Sequence, residues 1–211
     1  MTDSTFETSL VKAAFALGAE KGWRHVSAPA AAHYAGLELA QARTAFPCTG
    51  TILKKFGQMA DTVALTGVLA DGSVRDKLFD ILLRRFDFLQ AHRAGVLALM
   101  KFLPACPPLA VLLAELNLAS MGWLLEGAGV DATGLRGALK KRGLLLVWAY
   151  GLQAWARDGS EDLSATMAAV DKALARAEGF ATRYTAPATP EAAPETPPAT
   201  TSSPEEEPPL E

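Results

Sequence analysis

The sequence predicts an all-α chain of about nine helices, on three observations. Apolar residues recur at three- and four-residue spacing along most of its length. No β-branched run alternates with polar residues, and no hairpin dipeptide joins two candidate strands. Gly, Pro and Ser-Asp punctuation falls between the periodic segments, where helices start and stop.

Taken in order, Phe6, Leu10, Ala13, Ala14 and Leu17 mark a first helix that Gly22 ends. Ser27 is placed to cap a short second helix from Ala28, which tolerates Pro29 because the lost N–H lies in the first turn. Ala35-Gly36 closes it, Gly36 supplying the left-handed backbone of a tight turn. Leu37-Glu38 opens a third helix that stops at Phe46-Pro47, with Phe46 plugged into the core. Residues 22–47 thus read as the back half of a helix-turn-helix.

Ile52, Leu53, Phe56, Met59, Val63 and Leu69 give a longer fourth helix, and Asp71-Gly72 is a turn. Ser73 with Asp76 resembles a capping box for a helix with Leu78, Phe79, Leu82, Phe86 and Leu89 on one side and Arg75, Lys77, Arg84 and Arg85 mostly on others. Further helices are expected over 96–103, 109–126 and 135–157. Ser160 is the expected cap of a last helix with the stripe Leu163, Met167, Val170 and Leu174, and Glu161 and Asp162 in its first turn.

Composition sets the organisation. A chain of 211 residues, 50% apolar, buries one good core. Residues 1–48 are read as a helix-turn-helix domain, 49–180 as a helical ligand-binding and dimerisation domain, and 181–211 as a disordered acidic tail holding 8 of the 13 prolines. The tail's six Glu account for the net charge of −3 and leave the body mildly basic. Residues 1–47 balance to zero, whereas phosphate binding favours a positive head. Cys48 and Cys106 suit a reduced compartment. The polar, slightly acidic start excludes a signal peptide, and the apolar run from Gly143 to Ala156 is too short to span a bilayer. A cytoplasmic protein with no transmembrane segment is expected.

The chemistry of catalysis is absent from the sequence. There is no phosphate loop, dinucleotide fingerprint or nucleophile elbow, and His25, His33 and His92 are scattered. Neither cysteine has a metal-ligand partner at useful spacing, so no metal, no cofactor and no enzyme activity are expected. Asp87 and Glu126 are the carboxylates in the most apolar surroundings, with pairing to Arg84 or Arg85 as the common fate.

Ala14-Phe15, Glu20-Lys21-Gly22-Trp23, Ala35-Gly36-Leu37 and Phe46-Pro47 together resemble the TetR family of helix-turn-helix regulators. Val74-Arg-Asp-Lys-Leu-Phe-Asp80, Arg84-Arg-Phe-Asp87, Gln90-Ala-His-Arg93 and Ser120-Met-Gly-Trp123 are similar to an α-proteobacterial TetR-like group. Trp155-Ala-Arg-Asp-Gly-Ser160, with Thr166 and Asp171, is also similar to the TetR-fold lipid-binding accessory family of ubiquinone biosynthesis, that of the ninth Coq protein. The first resemblance implies a homodimer that binds DNA and responds to an apolar small molecule. The second implies an isoprenoid-lipid carrier that does not read DNA.

The site residues follow from both sources. Gln41 and Arg43 can hydrogen-bond base edges, and Ser27, Thr44, Lys54 and Lys55 can meet phosphates, although Glu38 at the mouth of the third helix opposes them. Phe86, Asn117, Met121, Trp123 and Trp148 are candidates to line an apolar pocket, with ordinary core as the alternative. The pair His92-Arg93 suits an acidic head group or a plain helix start. Leu152, Trp155, Leu163, Met167, Val170 and Leu174 suit a two-helix dimer interface, or the packing of those two helices on each other.

Overall fold

The computed structural model describes residues 3–160 and 162–185, with side chains over 4–160 and 162–180. Among the described residues the chain forms nine α-helices and two short 3-10 turns, with no strand. The helices are α1 (Asp3–Lys21), α2 (Ala28–Ala35), α3 (Leu39–Ala45), α4 (Thr49–Leu65), α5 (Val74–Gln90), α6 (Arg93–Phe102), α7 (Pro107–Gly127), α8 (Gly134–Arg157) and α9 (Ser164–Thr185).

Local signals set the first three. Ser27 is extended and its Oγ accepts the Ala30 N–H at 3.2 Å, satisfying one open donor of α2. Gly36 adopts the left-handed conformation at φ +63°, and the Leu37 N–H returns to the Ala32 carbonyl at 2.8 Å. That turn swings α3 across α2. Ala42 and Phe46 pin its inner face into the core, at 1% and 3% exposure.

The head is welded to the bundle through α1. Trp23 Nε1 donates to the Gly95 carbonyl at 2.8 Å in a buried bond. Gly95 lies so close to Phe15 that a Cβ there would overlap the Phe15 backbone carbonyl, so α6 sits directly on α1. Phe15 stacks on Phe56 with centroids 3.8 Å apart and meets Trp23 edge-on at 5.0 Å. One continuous apolar core therefore runs from the head through α4 into the bundle.

The remaining helices close a ring. α4 packs on α5, α5 on α9, α9 on α8, α8 on α7 and α7 back on α4, while the direct seam between α5 and α7 is thin. The Ser73–Asp76 capping box at the start of α5 is complete in both directions. Side chains fill the ring: Phe86 of α5 reaches over to stack on Trp148 of α8 at 4.6 Å.

The last helix departs from expectation. It begins at Ser164, after Leu163 at φ +54°; Ser160 Oγ accepts the Ser164 N–H at 3.2 Å, as expected of a cap, and Asp158 adds a second cap. Its Oδ2 accepts the N–H and the hydroxyl of Thr166, both at 2.8 Å, and its Oδ1 accepts the N–H of Ser160 at 3.0 Å. Asp162 precedes the helix, accepting the Ser164 N–H at 3.2 Å, and Glu161 lies outside the described residues. The helix runs on to Thr185, past the expected start of the tail at 181, and residues 186–211 lie outside the described residues. One described helix, α7, is long and apolar enough to cross a membrane, with 22% of its apolar window buried.

Candidate functional site

Two places collect the candidate residues: the outer face of α3 and the interior of the ring. On α3, Leu39, Ala40, Arg43 and Thr44 are exposed and Gln41 is half-buried. The Arg43 guanidinium donates to the Pro47 carbonyl at 3.0 Å, and the Thr44 hydroxyl to the Ala40 carbonyl at 3.0 Å. Both are exposed bonds that a stronger acceptor can replace. Ser27 spends its oxygen on the α2 cap, so its hydroxyl hydrogen is what it can offer outward. Lys54 is exposed at the start of α4, and Lys55 is paired with Glu7 at 2.5 Å.

Inside the ring the expected pocket residues divide. Phe86 and Met121 are fully buried, Trp148 is 4% exposed, and Asn117 is half-buried. Trp123 does not join them, being 69% exposed on the outside of α7. Two positions along a helix turn the side chain by about 200°, so Met121 and Trp123 face opposite ways. Trp123 instead borders a shallow open pocket of about 210 Å³ with Ala119, Gly122, Glu126, Ala132 and Thr133.

At the ring's centre lies a polar cluster that the sequence reading missed. Arg85 is 3% exposed, and its Nη1 stands 3.4 Å from Asp61 Oδ1 of α4. Its Nη2 donates to Asn117 Oδ1 of α7 at 3.3 Å, and its guanidinium lies 4.5 Å over the Trp148 ring. The Ser120 hydroxyl donates to Asp61 Oδ2 at 2.5 Å. Arg85 Nε and Nη1, and Asp61 Oδ1, have no hydrogen-bond partner. Burial holds the guanidinium's pKa below its ordinary value, and the Asp61 carboxylate offsets only part of that shift. The signal was present: Arg85 falls at helical spacing with Leu78, Leu82 and Leu89, the buried face of α5. Asp87 and Glu126, the carboxylates in the most apolar stretches of sequence, are exposed; Arg84 pairs with Asp80 and Arg85 with Asp61, and Glu126 accepts the Ala132 N–H at 2.8 Å.

The pair His92-Arg93 is built into the fold. His92 packs among Phe15, Phe56 and Phe88, and burial, with the Lys12 charge second, lowers its pKa from the ordinary value. Arg93 closes the end of α8, donating to the carbonyls of Trp155 at 3.0 Å and Asp158 at 2.6 Å while its guanidinium lies 4.7 Å over the Trp155 ring. Trp155 Nε1 in turn donates to Gln90 at 3.0 Å, and Arg75 pairs with Asp171 at 2.6 Å. The residues carrying the likeness to the lipid-binding accessory family thus act as struts between α5, α6, α8 and α9.

The stripe expected at a dimer interface is used within the chain. Trp155, Leu163, Val170 and Leu174 are buried where α8 and α9 pack on each other, and Leu152 is half-buried. Met167 alone of the six is exposed, at 39%. A second apolar line stands free on α8: Leu135, Leu139, Leu146 and Tyr150 are 87%, 69%, 72% and 44% exposed. Among the described residues no group of three His, Cys, Asp or Glu side chains is placed to hold a metal.

The arrangement of head and ring has a solved counterpart. The structure of a TetR transcriptional regulator from Nitrosomonas europaea matches this chain with a TM-score of 0.65, over 82% of this chain and 98% of its own, at 19% identity. At that identity the likeness is one of fold, and the chain has the TetR-like all-α fold. No family model matches the chain, and no curated protein matches it.

Proposed function

We propose that this protein is a homodimeric TetR-type transcriptional regulator, acting on DNA in the cytoplasm and responsive to an apolar small molecule. The observation that carries the reading is the helix-turn-helix itself. Its caps and turn leave Arg43 and Thr44 exposed on the outer face of α3, with Gln41 half-buried on the same helix. The fold is also that of a solved protein described as a TetR transcriptional regulator. In this reading α3 enters the major groove, Arg43 exchanges the Pro47 carbonyl for a base edge, and Lys54 meets the backbone. The free line on α8 from Leu135 to Tyr150 is the face that a second copy covers, and Met167 is the exposed apolar residue that α9 adds. The ring interior around Phe86, Met121 and Trp148 takes the effector, and the protein is not an enzyme.

The test is selection of bound duplexes from fragmented genomic DNA with the full chain. A two-fold symmetric site is expected, with half-sites about one helical turn apart or a multiple of it. Failure to enrich any sequence removes the regulator reading.

A second reading keeps the fold and drops the DNA: a lipid-binding accessory protein of the ubiquinone type. One observation favours it, the charge balance of the head: residues 1–47 sum to zero, and Lys55 just beyond them is held by Glu7. Isoprenoid lipid extracted from the purified protein, with no DNA sequence enriched, is its expected signature.

A further inference from the structure

The Asp61–Arg85 cluster is poorly satisfied for a structural ion pair. A buried guanidinium offers five N–H donors; this one places Nη2 on Asn117, holds Nη1 3.4 Å from Asp61 Oδ1 as an ion pair without hydrogen-bond geometry, and leaves Nε without a partner. Each buried donor left unmatched costs stability, so such a group in a packed interior waits for an acceptor. Its aromatic neighbour Trp148 offers that acceptor an apolar surface, and the seam between α5 and α7, which the Arg85–Asn117 bond bridges, is thin.

We propose that Arg85 anchors the carboxylate of an apolar monocarboxylic acid bound in the ring, with Asp61 as the internal anion that the ligand displaces. The proposal rests on the effector reading above and names the chemistry of the effector. Charge favours a monoanion: Arg85 is the cluster's one cation, so it can balance a single carboxylate while Asp61, its side chain 13% exposed, keeps Ser120 and its solvent-facing edge. A phosphate dianion would face Asp61 with no second cation to balance it. Planar carboxylates also match the guanidinium fork better than a point charge does. Asp61 sits on α4, the helix that runs from the head into the ring. Its release removes the ion pair between α4 and α5 and leaves Ser120 of α7 as its remaining partner.

The test uses the full chain and two matched pairs of probes: decanoic acid with decan-1-ol, and indole-3-acetic acid with indole-3-acetamide. Binding is measured by calorimetry at neutral pH, where both acids are ionised. In at least one pair the acid is expected to bind about tenfold tighter than its neutral twin, as a charge-assisted contact allows. Arg85→Met is expected to abolish that preference while retaining the neutral twin, and Arg85→Lys to restore part of it. Asp61→Asn removes the competing anion and is expected to tighten the acid several-fold, a gain that a merely structural pair would not give; it serves as the deciding variant if Arg85→Met does not fold. Neutral twins that bind as well as the acids overturn the carboxylate anchor and leave the apolar effector standing. No binding by any probe, in protein that still selects DNA, removes both.

Discussion

Asp158 shows how much one side chain holds. Hydrogen bonds from Ser160 and Thr166 hold its carboxyl far below the usual carboxylate range. A lowered native pKa stabilises the fold above the unfolded value of about 3.9 and loses that contribution as pH falls further. Asp158→Asn is therefore expected to lower the unfolding midpoint at neutral pH and to flatten the stability curve below about pH 4, read by circular dichroism. His92 acts in a separate window. Its native pKa is depressed by burial, so the unfolded chain takes the proton first and stability falls as pH drops below about 6.5. His92→Phe should remove that first step and leave the second. On α3, Arg43→Ala is expected to cost about 1–3 kcal/mol on the selected site, measured by titration, and to relax preference at the base it reads.

Among the elements, α6 lies directly on α1. A Cβ at Gly95 meets the Phe15 backbone, which has no flexible end to yield, so Gly95→Ala is expected to destabilise by about 3 kcal/mol in chemical unfolding. On α8, Leu139→Glu with Leu146→Glu should leave the fold intact, both side chains being exposed, yet give a monomer by light scattering. A dimer that survives both changes places the interface elsewhere. The elements were legible in the sequence wherever their signals were local: Ser27, Gly36 and Phe46-Pro47 act within a turn or two. The apolar stripe of α9 was legible as a stripe, but periodicity cannot say whether its partner is α8 of the same chain or of another. Trp123 and Arg85 were misplaced for a simpler reason, since helical spacing alone sets Trp123 opposite Met121 and puts Arg85 in line with Leu82 and Leu89. The end of the chain's eighth helix was harder to read. Asp158 caps across eight residues to Thr166, and Arg93 reaches it from a helix 65 positions away in sequence.

For the whole molecule, head and ring share one core through α1 and α4, so a change around Arg85 has a packed path to α3. The sequence carried the TetR-like architecture because the helix-turn-helix spacing and the helix count are both one-dimensional patterns. It could not carry the polar centre of the ring, which needs Asp61, Arg85, Asn117 and Ser120 brought together from three helices. Under the proposed function, a head with zero net charge still reads DNA by sequence. The most direct test is an equilibrium titration of the selected duplex and a scrambled duplex of the same composition, each at two salt concentrations. The account predicts an affinity for the selected duplex at least ~10³ tighter, with a shallow salt slope because few phosphates are neutralised. Equal affinity for the two duplexes would contradict it.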